Sequence, residues 1–114
     1  MQDTNLIILI GRITADPELK HTESGKQVTS FQLAVNGYKD DVSFIPVTAW
    51  NKTAELICQY VKKGNRIAVE GRINQRSYEH KDGGKRSIVE VVANQVQFLE
   101  SKKQDSLTDE DLLF

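Results

Sequence analysis

Residues Val42–Tyr78 read VSFIPVTAWNKTAELICQYVKKGNRIAVEGRINQRSY, and the period of the apolar positions changes twice along them. Up to Trp50 it is two: Ser43, Ile45, Val47 and Ala49 share one side, and Phe44, Pro46, Thr48 and Trp50 the other, as a strand requires. From Asn51 to Gly64 it is helical. Ala54, Ile57, Cys58 and Val61 recur at helix spacing, Asn51 or Thr53 suits the cap, and Lys62-Lys63-Gly64 closes the turn. After Arg66 the two-residue period returns, with Ile67, Val69, Gly71 and Ile73 inward and Arg72, Asn74, Arg76 and Tyr78 outward. Pro46 has no N–H to give a ladder, so its strand is expected at an edge or a bulge.

The flanks hold more strands. LIILIGRI (Leu6–Ile13) is a short apolar, β-branched run, and QVTSFQLAVNGY alternates, with Phe31, Leu33 and Val35 opposite Ser30, Gln32, Ala34, Asn36 and Tyr38. Between them TADPELKHTESGK reads as a long loop, with Asp16-Pro17 and Ser24-Gly25 as turn signals. EHKDGGKR is a glycine-centred hairpin turn leading to SIVEVVANQVQFLE, one strand or two. The order is three strands, a helix and two strands. It predicts an all-β chain with one helix: a five-stranded Greek-key barrel of the oligonucleotide-binding type (OB-fold), with long hairpins and a helix between strands 3 and 4. Residues 1–100 form that domain. From Ser101 the pattern turns polar and aperiodic, so residues 101–114 read as a flexible linker and an acidic tip.

The chain has 114 residues, enough for one core, and a formal net charge of −1. That sum hides an uneven distribution. Residues 101–114 hold two lysines and four acids, whereas Lys62–Arg86 holds eight basic residues against three acids. The single cysteine, Cys58, excludes an internal disulfide and favours a reducing compartment. No signal-peptide or membrane-span pattern is present, so a cytoplasmic protein without membrane contact is expected.

Catalytic and metal readings are poor. His21 and His80 stand apart beside lysines, with no ligand-spaced Asp, Glu or Cys, and no glycine-rich phosphate loop occurs. No enzyme, metal or cofactor is expected. The strongest signal is parity. Opposite the aliphatic faces lie Tyr38, Phe44, Trp50 and Tyr78 with Arg72 and Arg76, and single-stranded nucleic acid needs flat rings for its bases and cations for its phosphates. The alternative inverts the faces and makes Phe44 and Trp50 core, although Ile45, Val47 and Ala49 already supply a core side. Lys81, Lys85 and Arg86 at the hairpin tip are either an ordinary solvated turn or an arm reaching along a strand of nucleic acid.

With these stretches together, the chain resembles bacterial and bacteriophage single-stranded DNA-binding proteins. The motifs are Ile10-Gly11-Arg12, Asp16-Pro17-Glu18, Lys62-Lys63-Gly64, Val69-Glu70-Gly71-Arg72 and the final DEDLLF. The resemblance implies an OB-fold, a homotetramer and no enzymatic activity, with base stacking on Tyr38, Phe44, Trp50 and Tyr78. Arg12, Arg72, Arg76, Lys81, Lys85 and Arg86 are the expected phosphate contacts. It implies sequence-independent binding in DNA replication, recombination and repair, in a bacterial nucleoid or a phage-infected cell. A protein-interaction barrel of a primosome-type assembly, meeting DNA only weakly, is the alternative from another class.

In the resembling proteins the tail ends in aspartates, an aliphatic, a proline and a phenylalanine. Here Asp109, Glu110, Asp111, Leu112, Leu113 and Phe114 take those places, with Leu113 where proline is usual. The expectation is a tip that recruits replication, recombination and repair proteins. A short terminal helix folded on the chain's own barrel is the other way to cover three apolar residues.

Overall fold

β-branched and alternating segments become strands wherever they find a partner, and here each long strand finds at least two. A computed structural model describes residues 2–100, the last by its backbone alone. The strands are β1 (Ile7–Ile13), β2 (Lys20–His21), β3 (Gln27–Asn36), β4 (Val42–Trp50), β5 (Arg66–Glu79) and β6 (Lys85–Glu100), with α1 (Asn51–Tyr60) between β4 and β5. β1 pairs antiparallel with both β3 and β5, β5 with β6 and β3 with β4, while β4 meets β6 in parallel. Those five pairings return to their start, so β1, β3, β4, β6 and β5 close a barrel in the OB-fold order.

The two-residue β2 was expected to be loop, and it makes the helix follow the fourth strand instead of the third. Its cause is local. Gly25 sits at φ 89°, the Gly25 N–H donates to the Thr22 carbonyl at 2.9 Å and the Lys26 N–H donates to Thr22 Oγ1 at 3.1 Å. That turn folds Lys20–His21 onto Val28 and Gln27. SIVEVVANQVQFLE is a single strand, with register shifts opposite Arg66/Ile67 and Glu70/Gly71. Pro46 was expected at an edge or a bulge, but β4 lies between β3 and β6 and runs through Pro46 in unbroken register with Gln32 of β3; Pro46 stands just ahead of the Val47–Ala49 segment that meets β6.

The core follows parity. Ile13, Leu33, Val47, Ala49, Ile67, Val69, Val91 and Ala93 point inward, and Ala54, Ile57 and Val61 close one end from α1 and the turn after it. Truncating fully buried Leu33 to Ala is a change worth about 2–5 kcal/mol. Neither Asn51 nor Thr53 caps the helix. Trp50, extended at φ −122°, holds the N-cap position without a side-chain bond, and Asn51 turns the corner at φ 54°, a left-handed conformation that asparagine tolerates. At the far end Gly64 takes φ 88° and donates its N–H to the Ile13 carbonyl at 2.9 Å, tying the turn to β1.

Two inward glycines allow the strands to cross closely. A Cβ on Gly11 would overlap the Ala34 carbonyl, and one on Gly71 the Val92 carbonyl. Beyond Gly71, β5 and β6 continue past the barrel as a long hairpin with every β5 residue exposed. Ile73, expected inward, is therefore 45% exposed, because no second layer covers it.

Candidate nucleic-acid interface

Residues paired across neighbouring strands share a face, so register maps the outer surface. One row runs Arg66, Arg12, Ala34, Phe44 and another runs Ser30, Thr48, Val92, Arg72. Phe44 and Trp50 lie on the same face of β4, six residues or about 20 Å apart. The inverted assignment fails: Phe44 is exposed, Trp50 is 39% exposed, and Val47 and Ala49 are buried.

Trp50 is the wall between two recesses. One, of about 200 Å³, is lined by Val28, Ser30, Thr48, Trp50, Arg76 and Glu90. The other, of about 330 Å³, is lined by Thr22, Ser24, Lys26, Trp50 and Asn51. Both are open, and each offers hydroxyl groups and a basic side chain beside the indole. A planar base fits against such a ring, with hydroxyl, guanidinium and ammonium donors to its side.

The floor of the smaller recess is a hydrogen-bonded chain across four strands. The hydroxyls of Ser30 and Thr48 lie 3.2 Å apart, Thr48 donates to Glu90 Oε2 at 2.7 Å and Arg76 Nε donates to Glu90 Oε1 at 2.8 Å. Arg76 was expected as a phosphate contact. Its charge is paired with a buried carboxylate, while its own side chain stays 56% exposed.

Tyr38 lies in the β3–β4 turn and not on β3, which ends at Asn36. Lys39 and Asp40 take positive φ values of 51° and 59° there, the Gly37 N–H donates to the Asp41 carbonyl at 2.7 Å, and the ring is 80% exposed with Lys39 Nζ 5.5 Å from its centroid. Tyr78 pairs with Arg86 on the projecting hairpin. The four aromatics are thus all outward but on three different elements, and Trp50 shares a recess with one of the expected arginines, Arg76. Two further exposed rings, Tyr60 and Phe98, pack on each other with centroids 5.8 Å apart.

Arg12 Nη1 donates to the Gly64 carbonyl at 3.1 Å, and Arg72 Nη1 reaches Asn94 Oδ1 at 3.4 Å. At the hairpin tip Asp82 accepts from the Gly84 N–H at 2.9 Å, from Arg86 Nη2 at 3.3 Å, and lies 3.4 Å from His80 Nδ1. The Gly84 N–H, assisted by Arg86 and His80, holds the Asp82 carboxyl below its ordinary value of 3.8. This group favours the folded tip above that value and loses its effect as pH falls through the lower folded one. Lys81 and Lys85 stand exposed beside it.

Sequence reasoning passed over Thr22, Ser24, Lys26, Ser30, Thr48 and Glu90. Ser30 and Thr48 carry the same parity as Trp50, a signal that was available. Glu90 gives none, because one acid inside SIVEVV reads as solvated. Among the described residues no group of three His, Cys, Asp or Glu side chains is placed to hold a metal ion, and no helix is long and apolar enough to cross a membrane. Linker residues 101–108 and the tip, Asp109 to Phe114, lie outside the described residues.

Residues 4–99 match the model of the "Single-strand binding protein family". The chain is 50% identical over 109 residues to the single-stranded DNA-binding protein of Clostridium tetani, covering 90% of this chain and 75% of that one. It is 44% identical over 107 residues to single-stranded DNA-binding protein 1 of Clostridium acetobutylicum, covering 88% and 97%. Against single-stranded DNA-binding protein 1 of Staphylococcus aureus the identity is 43% over 107 residues, covering 89% and 69%.

Proposed function

The chain belongs to the single-strand binding protein family, and on that premise we propose that it binds single-stranded DNA without sequence preference and protects it during replication, recombination and repair. It acts by binding, with no chemical step. The observation that carries this is Trp50, an exposed indole between two open recesses on an outer face rich in basic groups. Bases stack on Trp50, Phe44, Tyr38 and Tyr78, while Arg12, Arg72, Lys81, Lys85 and Arg86 follow the phosphates. Stacking is tolerant of base identity because every base has a π-face, and phosphate neutralisation makes affinity fall with salt. Titrating Trp50 fluorescence with oligo(dT) over a range of salt concentrations tests it. Quenching that weakens steeply as salt rises is expected; no quenching at low salt defeats the proposal.

The working form is a homotetramer. Support comes from the outer positions Ile8 and Ile10 of β1 and from Leu6 just before it, which are 61%, 46% and 63% exposed. A row of large aliphatics on a sheet face is costly in water and suits self-association. The linker and tip, residues 101–114, recruit DNA-processing partners through the acids at 109–111 and the apolar residues at 112–114, in the bacterial cytoplasm or nucleoid. Deleting Asp109 to Phe114 is expected to leave oligo(dT) binding intact and to abolish partner recruitment.

A further inference from the structure

A buried carboxylate is out of place on a surface meant for a polyanion. Glu90 is nonetheless there, its side chain 8% exposed against 56% for its partner Arg76. Both of its oxygens are used, Oε2 by the Thr48 hydroxyl and Oε1 by Arg76 Nε. Arginine has five N–H donors, so an Nε contact leaves the four on the two Nη atoms uncommitted to this carboxylate. The guanidinium therefore keeps its outward edge for a ligand while its charge is largely cancelled.

From this geometry we infer that Glu90 is a positioning residue for DNA binding: it fixes the Arg76 guanidinium in the recess beside Trp50, as a rigid donor to the nucleotide stacked there. The inference rests on the DNA-binding function proposed above. A long, flexible side chain loses rotamer freedom when it grips a ligand. Held by Glu90, and through Thr48 and Ser30 by β4 and β3, Arg76 has lost that freedom on folding. What the carboxylate takes from long-range attraction it returns as preorganisation.

The two effects have opposite signs, which makes them separable. Removing the charge of Glu90 raises the positive charge of the face, so electrostatics alone makes Glu90→Gln bind oligo(dT) more tightly. Loss of positioning makes it bind more weakly, by about 2- to 10-fold for one side chain set free. The experiment compares the full chain, Glu90→Gln, Arg76→Gln and the double variant by oligo(dT) anisotropy across salt, with thermal melts alongside. Expected results are weaker binding by Glu90→Gln and a double variant no weaker than Arg76→Gln. The salt slope should change less in Arg76→Gln than in Lys85→Gln, where an uncompensated charge disappears and about 0.7 of slope is lost. Equal or tighter binding by Glu90→Gln, or additive losses, overturns the inference and leaves the DNA-binding function standing. A parent chain that fails to bind overturns both. If Glu90→Gln does not fold, Arg76→Lys decides: it keeps the charge on an exposed side chain and loses the Nε contact, so parental affinity refutes positioning and a loss close to that of Arg76→Gln supports it.

Discussion

Trp50 ends β4, holds the N-cap position of α1 and separates the two recesses. Its backbone is fixed by an element on either side, so little main-chain order is gained or lost when a base stacks on it. Trp50→Ala is expected to weaken oligo(dT) binding by about 1–3 kcal/mol, and Trp50→Phe to retain most of it; anisotropy at fixed salt measures both. Gly71→Ala belongs to the same scale with another readout. Its Cβ would meet the backbone carbonyl of Val92, which no rotamer change relieves, so a loss of about 1–3 kcal/mol in stability is expected by thermal or urea melt. The outward placement of Phe44, Trp50 and Tyr78 was legible from alternation alone, because Ile45, Val47, Ile67 and Val69 filled the opposite side. Glu90 was not legible. Its burial depends on Thr48 and Arg76 arriving from β4 and β5, and no local pattern encodes such a meeting.

At the scale of elements, the β5–β6 hairpin carries the exposed charges. Its tip is ordered locally, with the Asp82 carboxylate taking the Gly84 N–H and Arg86. Exposed pairs of this kind add little stability, so Lys81, Lys85 and Arg86 can be exchanged without harm to the fold. Replacing all three by Ala is expected to lower the salt slope of oligo(dT) binding by up to about 2, with the melting temperature unchanged. A slope equal to the parent's would mean that the hairpin does not meet phosphates. The hairpin and the helix could be read from sequence because GG and the strand-to-helix change of period are local signals. β2 was hidden for a matching reason: two residues carry no period, and the Thr22–Lys26 turn that folds them back is held by backbone bonds and the Thr22 hydroxyl, which no periodicity reports. The helix start was misjudged because Trp50 takes the N-cap position with no side-chain bond to advertise it.

For the whole molecule, ring closure follows from strand order, and strand order was legible; how copies assemble depends on a surface that no single strand reports. If the aliphatic row on β1 is the contact between subunits, Ile8→Glu places a charge in it and should give monomers by light scattering while the melt stays cooperative. A tetramer with that substitution would move the contact elsewhere. The barrel itself is latched unevenly. β5 and β6 are paired along a long ladder, but β4 meets β6 only at Val47–Val91, Thr48–Val92 and Ala49–Ala93. That seam, like the two-pair contact of β1 with β3 at Arg12–Ala34 and Ile13–Leu33, is short and joins segments distant in the chain, so it is one of the two natural places for the ring to open. Trp50 and Arg76 stand on either side of it, and a nucleotide held by both would act as a bolt across the gap. Amide exchange along the seam, at Val47–Ala49 and Val91–Ala93, should then slow on adding oligo(dT) by more than exchange at Val42–Ile45, where β4 pairs with β3 alone, making the DNA a removable stave of the barrel that binds it.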